Sequence, residues 1–261
     1  MESVPIMDRN FDTLYERLQN RIYNSPKGRL RIELLWEDLS PFVSNNEKRT
    51  LTVLDAGGGM GQLSLMLAEA GHKIVLCDIS EKMLNAAKEK FNEAGLDSNL
   101  ELIHTAFQDL PDDFIGRFDL VLSHAVLEWL ESPEQSFKSL VRYVKPGGML
   151  SLMFYNLNSL ICQNAIKGNF VKLMNEEFAG QPNGLTPMNP LPAETVESWF
   201  PLNNLSIMSK TGIRVFYDLM FRKTRDLRAY EDILEVEKKY CRKEPYASMG
   251  RYVHLLGITN T

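Results

Sequence analysis

The sequence predicts an α/β fold, a mostly parallel seven-stranded sheet with helices on both faces and helical insertions near its C-terminal end. Three observations carry this. Between residues 51 and 155, short apolar runs alternate with stretches whose apolar residues recur every three or four positions. The runs are apolar at consecutive positions, so both faces of each strand are covered, as in a parallel sheet. The first run ends in a glycine-rich turn that opens a helix. The 261 residues suit one domain, 1–261, with N-terminal helices over 1–46, a cofactor-binding core over 47–155, and substrate-side insertions with the last two strands over 156–261.

Each element follows from local pattern. Phe11, Leu14, Tyr15, Leu18 and Ile22 predict a helix from residue 8. Ser25-Pro26-Lys27-Gly28 reads as a break, and Leu30, Leu34, Leu35 and Phe42 predict a second helix over 29–43. Strands are expected at 51–55, 73–78, 100–105, 118–124 and 149–154, and helices at 62–70, 81–95 and 133–144, with Pro146-Gly147-Gly148 as a turn. Beyond Tyr155 the rhythm stops. A helix over 157–178 precedes a Pro- and Asn-rich loop, and then come helix 194–200, strand 205–216, helix 222–242 and strand 250–258. A loop as long as 180–192 is usually functional.

Composition excludes several classes. Hydrophobic residues are 44% and charged residues 24%, ordinary for a globular chain. No apolar run approaches the roughly 20 residues of a membrane span. The polar start, MESVPIMDRNFD, has no apolar signal core, so a cytoplasmic protein is expected. Cys77, Cys162 and Cys241, and His72, His104, His124 and His254, are scattered without metal-ligand spacing, which predicts neither disulfide framework nor metal. Net charge is −5, unevenly spread: residues 1–31 carry six Lys/Arg against four Asp/Glu, 208–254 eleven against seven, and 32–207 twelve against twenty-three. A face for a polyanion belongs at the two ends; solvated helix faces are the plainer reading of the same charges.

The chemistry is concentrated in Val53-Leu54-Asp55-Ala56-Gly57-Gly58-Gly59-Met60-Gly61. Glycines permit the tight turn and a close ligand approach, and the helix start offers free N–H groups. Asp55 precedes the glycines, where a carboxylate would repel a pyrophosphate and suit an ammonium. Asp78 ends the second strand, 23 residues on, placed to accept from ribose hydroxyls. Ala106-Phe107-Gln108-Asp109 follows the third strand, where an adenine would lie, with Phe107 or Ile79 against its face. S-adenosylmethionine, with an ammonium, a sulfonium and no phosphate, fits this set. Each residue also has a plain role, as tight turn, helix cap or packing group.

The order DAGGGMG, LCD, HTAFQDLP, FDLVLSHAVLEWL, VKPGGMLSL resembles the Rossmann-like class I methyltransferases over residues 50–155. That resemblance implies Gly57 and Gly58 at the methionine portion of the cofactor, Asp78 at the ribose, Phe107–Asp109 at the adenine, and the backbone carbonyl of His124 at the ammonium. The flanks, MDRNFD from Met7, IYNSPKGRLR, LSLMFYN, SKTGIRVFYD and YCRKEPYASMGRYVH, resemble the bacterial tRNA 5-carboxymethoxyuridine methyltransferases. Residues 1–6 and 180–192 fall outside that likeness. This second resemblance implies methylation of a wobble-uridine carboxylate in the tRNA anticodon loop, with Arg31 on the carboxylate of the cofactor. An ionised carboxylate needs alignment more than a base. Its partner would be a fork-shaped cation, Arg214, Arg242 or Arg251, with Tyr155, Tyr217 or Tyr252 nearby. Tyr23, Tyr217, Phe221, Tyr240, Tyr246 and Tyr252 form a pool for stacking on RNA bases or for core packing. The rival readings are a small-molecule methyltransferase of the same fold, a non-catalytic scaffold, and a nicotinamide oxidoreductase, the last disfavoured by Asp55 and the glycine spacing.

Overall fold

The computed structural model describes residues 10–44, 49–180 and 184–260. Met7–Arg9 of the MDRNFD motif, residues 1–6, most of the polar linker before the first strand, and 181–183 of the Pro/Asn loop lie outside the described residues. In chain order the helices are α1 Tyr15–Leu18, α2 Pro26–Val43, α3 Gln62–Glu69, α4 Glu81–Glu93, α5 Pro133–Tyr143, α6 Leu157–Ile166, α7 Phe170–Met174, α8 Ala193–Leu202, α9 Arg222–Arg225 and α10 Tyr230–Tyr240. The strands are β1 Thr52–Ala56, β2 Lys73–Asp78, β3 Leu100–His104, β4 Phe118–His124, β5 Val144–Tyr155, β6 Leu205–Ile213 and β7 Tyr252–Thr259.

One seven-stranded sheet has the order β3-β2-β1-β4-β5-β7-β6, parallel except at β7, which runs antiparallel to both neighbours. The central strands are apolar on both sides because each face has its own core. Leu54, Val121, Leu150 and Phe154 pack toward α5 and α8. Val53, Leu120, Leu122 and Met153 pack toward α2 and α3. The strand order reverses between β1 and β4, and a crevice at the carboxyl ends there is the expected ligand site of an open α/β sheet.

Five elements depart from expectation. The first helix is instead a short 3₁₀ turn, α1 and a π turn, because its start is tied sideways: Asn10 donates to the Ile79 carbonyl at 2.9 Å. Ser25-Pro26-Lys27-Gly28 starts α2 rather than breaking the chain, with the Ser25 hydroxyl accepting from Gly28 N–H and Pro26 in the first turn. The helix over 157–178 splits into α6 and α7 around Gly168, which has φ +71°. Helix 222–242 splits into α9 and α10. Pro146-Gly147-Gly148 lies inside β5 as an irregularity, the register moving from Phe118↔Val144 to Leu120↔Met149.

Candidate functional site

The turn after β1 is held tightly. Gly57, Gly59 and Gly61 have φ of +73°, +55° and +63°. The Gly57 and Gly58 N–H groups donate to the Cys77 carbonyl at 2.9 and 3.2 Å, tying the turn to the end of β2. A Cβ on Gly58 would stand 2.6 Å from the Asp55 carboxyl carbon, and one on Gly57 would stand 2.7 Å from Val126. Glycine at 57 and 58 is therefore demanded by the protein itself.

Two carboxylates face the space that the turn leaves. Asp55 is buried and accepts from the Ser64 hydroxyl at 2.6 Å. Burial pushes its carboxyl up to about 6 against the Ser64 bond, and the Asp78 charge adds to the rise. Asp78 accepts from Gly59 N–H at 2.9 Å and Ser80 N–H at 2.8 Å, yet burial still holds it above the usual carboxylate range. None of the ion pairs among the described residues engages either acid. Opposite them, Arg31 on α2 is buried with its Nε donor unpartnered. Acids without a cation and a donor without an acceptor suit a zwitterionic amino-acid end.

Arg31, Asp55, Gly57, Gly58, Asp78, Ile79, Phe107, Gln108 and His124 all line one cleft, which holds about 1340 Å³ continuous with solvent. Phe107 turns mainly into the core and its carbonyl accepts from the Tyr143 hydroxyl at 2.7 Å, so its backbone and the neighbouring Ala106 form the wall. Asp109 is exposed and absent from that wall; its N–H closes a turn to the Ala106 carbonyl at 3.0 Å.

His124 is engaged through its ring. Its Nε2 meets the Ser151 hydroxyl at 2.8 Å, Ser151 meets His254 Nε2 at 2.8 Å, and His254 Nδ1 meets Asp38 at 2.7 Å. Burial, then the charges of His254 and Arg31, push His124 well below its ordinary value and keep it neutral. Arg242 ends this chain, donating to Asp38 from Nε at 2.8 Å and reaching Glu37 at 3.4 Å. That corrects the expectation for Arg242: it is committed to Asp38, a residue 204 positions away, and is not a free cation for a substrate.

A second cluster adjoins the cleft. Arg214 has φ +61°, donates to Asp218 from Nε at 2.8 Å, and leaves Nη1 buried without a partner. Its guanidinium stands 5.5 Å from the Tyr252 ring, and that of Arg251 stands 4.6 Å from the Tyr155 ring. Arg251 also bonds the Gln163 amide oxygen. The Tyr155 hydroxyl is buried and unpartnered, pushed up to about 12 by burial. Lys27, in the first turn of α2, is lowered by burial and by the charges of Arg214 and Arg251. Glu237 accepts from Val215, Phe216 and Tyr217 N–H at 2.8–2.9 Å and fixes the turn that presents Arg214. Tyr252 lines the cleft and touches this cluster, joining the two.

Sequence reasoning passes over Lys27, whose motif reads as a break, and Asp218. Tyr23, named only in the aromatic pool, lines the cofactor cleft, its hydroxyl 2.9 Å from where a Gly59 Cβ would stand. Glu128 is another omission: it is fully buried, its carboxyl pushed up to about 8 by burial, and the apolar neighbours in HAVLEWL give no hint of it. The aromatic pool is sorted. Tyr217 is buried, Tyr240 and Tyr246 pack with Phe216, and Phe221 alone stands well out, 72% exposed. Among the described residues there is no cluster of three metal-ligating side chains and no helix long and apolar enough to cross a membrane.

This sheet, glycine turn and acid-lined cleft define the class I methyltransferase architecture. Residues 54–152 match the methyltransferase-domain family model. The magnesium protoporphyrin IX methyltransferase of Synechocystis, solved with S-adenosylhomocysteine bound, shares the fold at TM-score 0.65 with 18% identity, covering 96% of each chain. A ubiquinone/menaquinone biosynthesis C-methyltransferase from Vibrio vulnificus is 32% identical over 40% of this chain and 41% of its own. The tRNA 5-carboxymethoxyuridine methyltransferase of Escherichia coli is 41% identical over 96% of both chains. The chain belongs to the tRNA 5-carboxymethoxyuridine methyltransferase family.

Proposed function

We propose that this protein transfers a methyl group from S-adenosylmethionine to the side-chain carboxylate of 5-carboxymethoxyuridine at the tRNA wobble position, giving the methyl ester. The observation that carries this reading is the pair of arginines beside the acid-lined cleft: Arg214 and Arg251 stand over the adjoining Tyr252 and Tyr155 rings, with Asp218 paired to Arg214. An unpartnered buried Arg214 Nη1 and Tyr155 hydroxyl are two donors waiting for an anion.

S-adenosylmethionine supplies an electrophilic methyl on a sulfonium. Asp78 would hold its ribose hydroxyls, Arg31 its carboxylate, and Asp55 with the His124 carbonyl its ammonium, with Ile79, Phe107 and Gln108 at the adenine. On the other side, Arg214 and Arg251 would grip one oxygen of the substrate carboxylate and leave the second free to face the methyl. An O–CH₃ bond forms as the S–CH₃ bond breaks, and no proton moves, so the residues need only align the two. The neutral His124 imidazole, already committed to Ser151, is not required as a base. The chain works as one unit in this reading, with 47–155 holding the cofactor and 156–261 the acceptor. A cytoplasmic location fits action on tRNA.

The likeness to the quinone C-methyltransferase is confined to 40% of this chain, whereas the likeness to the tRNA enzyme runs over 96% of it. Mass spectrometry of tRNA nucleosides from cells with and without the gene tests the reading. The methyl ester is expected to vanish and the free acid to accumulate when the gene is absent. An unchanged nucleoside profile would refute the assignment.

A further inference from the structure

Directly after the turn that carries Arg214 and Asp218, residues 221–229 leave the body of the protein. Of these only Arg225 is half-buried; the rest are exposed. Phe221 is 72% and Leu227 83% exposed, among the most open large apolar side chains in the described structure. Around them stand Arg222, Lys223, Arg225 and Arg228 against a single acid, Asp226, in a chain whose net charge is −5. Asp226, itself exposed, is reached by Arg222 at 3.4 Å and by Arg225 at 4.0 Å, long contacts of the kind that contribute little.

Arg225 differs from its neighbours. Its guanidinium lies 4.6 Å from the Tyr217 ring and its Nη1 donates to the Tyr217 carbonyl at 3.5 Å. Arg225 thus ties the segment to Tyr217, in the turn that carries Arg214, and leaves Phe221, Arg222, Lys223 and Arg228 exposed. Another exposed apolar segment, with Phe170, Val171 and Met174, has only two cations, Lys167 and Lys172, against the four of 222–228. An open aromatic side chain set among cations in excess of acid matches single-stranded nucleic acid, which offers base faces for stacking and phosphates for charge. An acidic protein would use the cations and leave Phe221 without a purpose.

We propose that residues 221–228 form the docking surface for the single-stranded RNA that carries the target nucleotide, with Phe221 stacking on a flanking base and Arg222, Lys223 and Arg228 contacting phosphates. This rests on the tRNA reading above and adds where the RNA lies.

The test is steady-state methylation of tRNA bearing 5-carboxymethoxyuridine by the full chain, across a range of salt, for two variants. One is Phe221→Ala and the other combines Arg222→Ala, Lys223→Ala and Arg228→Ala. These side chains are exposed, so folding is not at stake. Removing Phe221 is expected to raise KM for tRNA about tenfold. The triple variant is expected to raise it at least as much and to flatten the salt dependence by about two logarithmic units per decade, as three lost phosphate contacts require. In both, the loss falls on KM rather than kcat, and S-adenosylmethionine affinity by calorimetry is unchanged. A wild-type protein that methylates tRNA while both variants keep its KM and salt slope would overturn the docking surface alone. Variants that keep the tRNA KM but lose a protein partner would overturn it in favour of a protein interface. A wild-type protein that leaves the tRNA carboxylate unmethylated would overturn the function, and the surface with it.

Discussion

The two ends of the cleft carry opposite charge and are built from different kinds of sequence. At the cofactor end, Asp55 and Asp78 close adjacent strands whose register pairs Asp55 with Leu76 and Ala56 with Cys77, so short-range spacing alone puts both acids on one rim. At the proposed acceptor end, Lys27, Arg214 and Arg251 come from α2, the turn after β6 and the residue before β7, segments far apart in the sequence. In the proposed reading a cationic cofactor meets the acids and an anionic substrate the cations, with Tyr252 lining the cleft and standing beside Arg214. Separating the charges in this way lets opposite partners sit side by side without neutralising the groups that hold them.

The sharpest way to break the contrast is to remove a cation. Arg251→Ala leaves Tyr155 and Gln163 without their guanidinium and is expected to lower kcat/KM for tRNA about 100-fold, while calorimetry shows cofactor affinity unchanged. Loss of both would mean that the two ends are not separable. The mirror change, Asp78→Asn, removes a charged acceptor from the ribose site and is expected to weaken cofactor binding about 10- to 100-fold, leaving tRNA affinity intact. Because Asp78 also accepts from Gly59 and Ser80 N–H, a thermal melt of the same variant should accompany the titration.

The smallest effect is on pH. With its carboxyl raised from 3.8 to about 6, Asp55 is protonated below that pH and offers no charge to an ammonium. Cofactor affinity measured by calorimetry is expected to rise about fivefold from pH 5 to pH 6, about tenfold by pH 7, and to level off above that. The same shift has the opposite sign for the cofactor-free fold. A raised acid favours the folded state when protonated, so its contribution to stability falls as pH climbs from about 4 to 6. A cofactor affinity flat from pH 5 to 7 would remove Asp55 from the ammonium site.

How much of this the sequence discloses follows the same division. Strand β4 spans Phe118–His124 as the FDLVLSH run predicts, and the other core strands fall within a residue or two of expectation or, for β5, extend it. Buried parallel strands must be apolar throughout, and that signal is local. Most cleft residues were legible for the same reason, since they stand at or just after strand ends; Arg31, inside α2, was named only through the family resemblance. The acceptor side resists local reading. Arg242 looks like a clamp until Asp38 is seen beside it, and Lys27 hides in a motif that reads as a break but is the first turn of α2. The apolar period of Tyr230–Tyr240 extends a helix pattern back through Arg222–Arg228, where the real chain is exposed and broken. Cations on a surface carry no periodicity, so only the fold shows which of them share a site.

The most direct test is a crystal structure of the protein with S-adenosylhomocysteine and an anticodon stem-loop carrying 5-carboxymethoxyuridine. The nucleoside is expected on Asp78, and the substrate carboxylate within hydrogen-bond distance of Arg214 or Arg251, with one oxygen turned toward the sulfur. A carboxylate bound away from both arginines, or a nucleoside seated off the β1–β2 rim, would contradict the account.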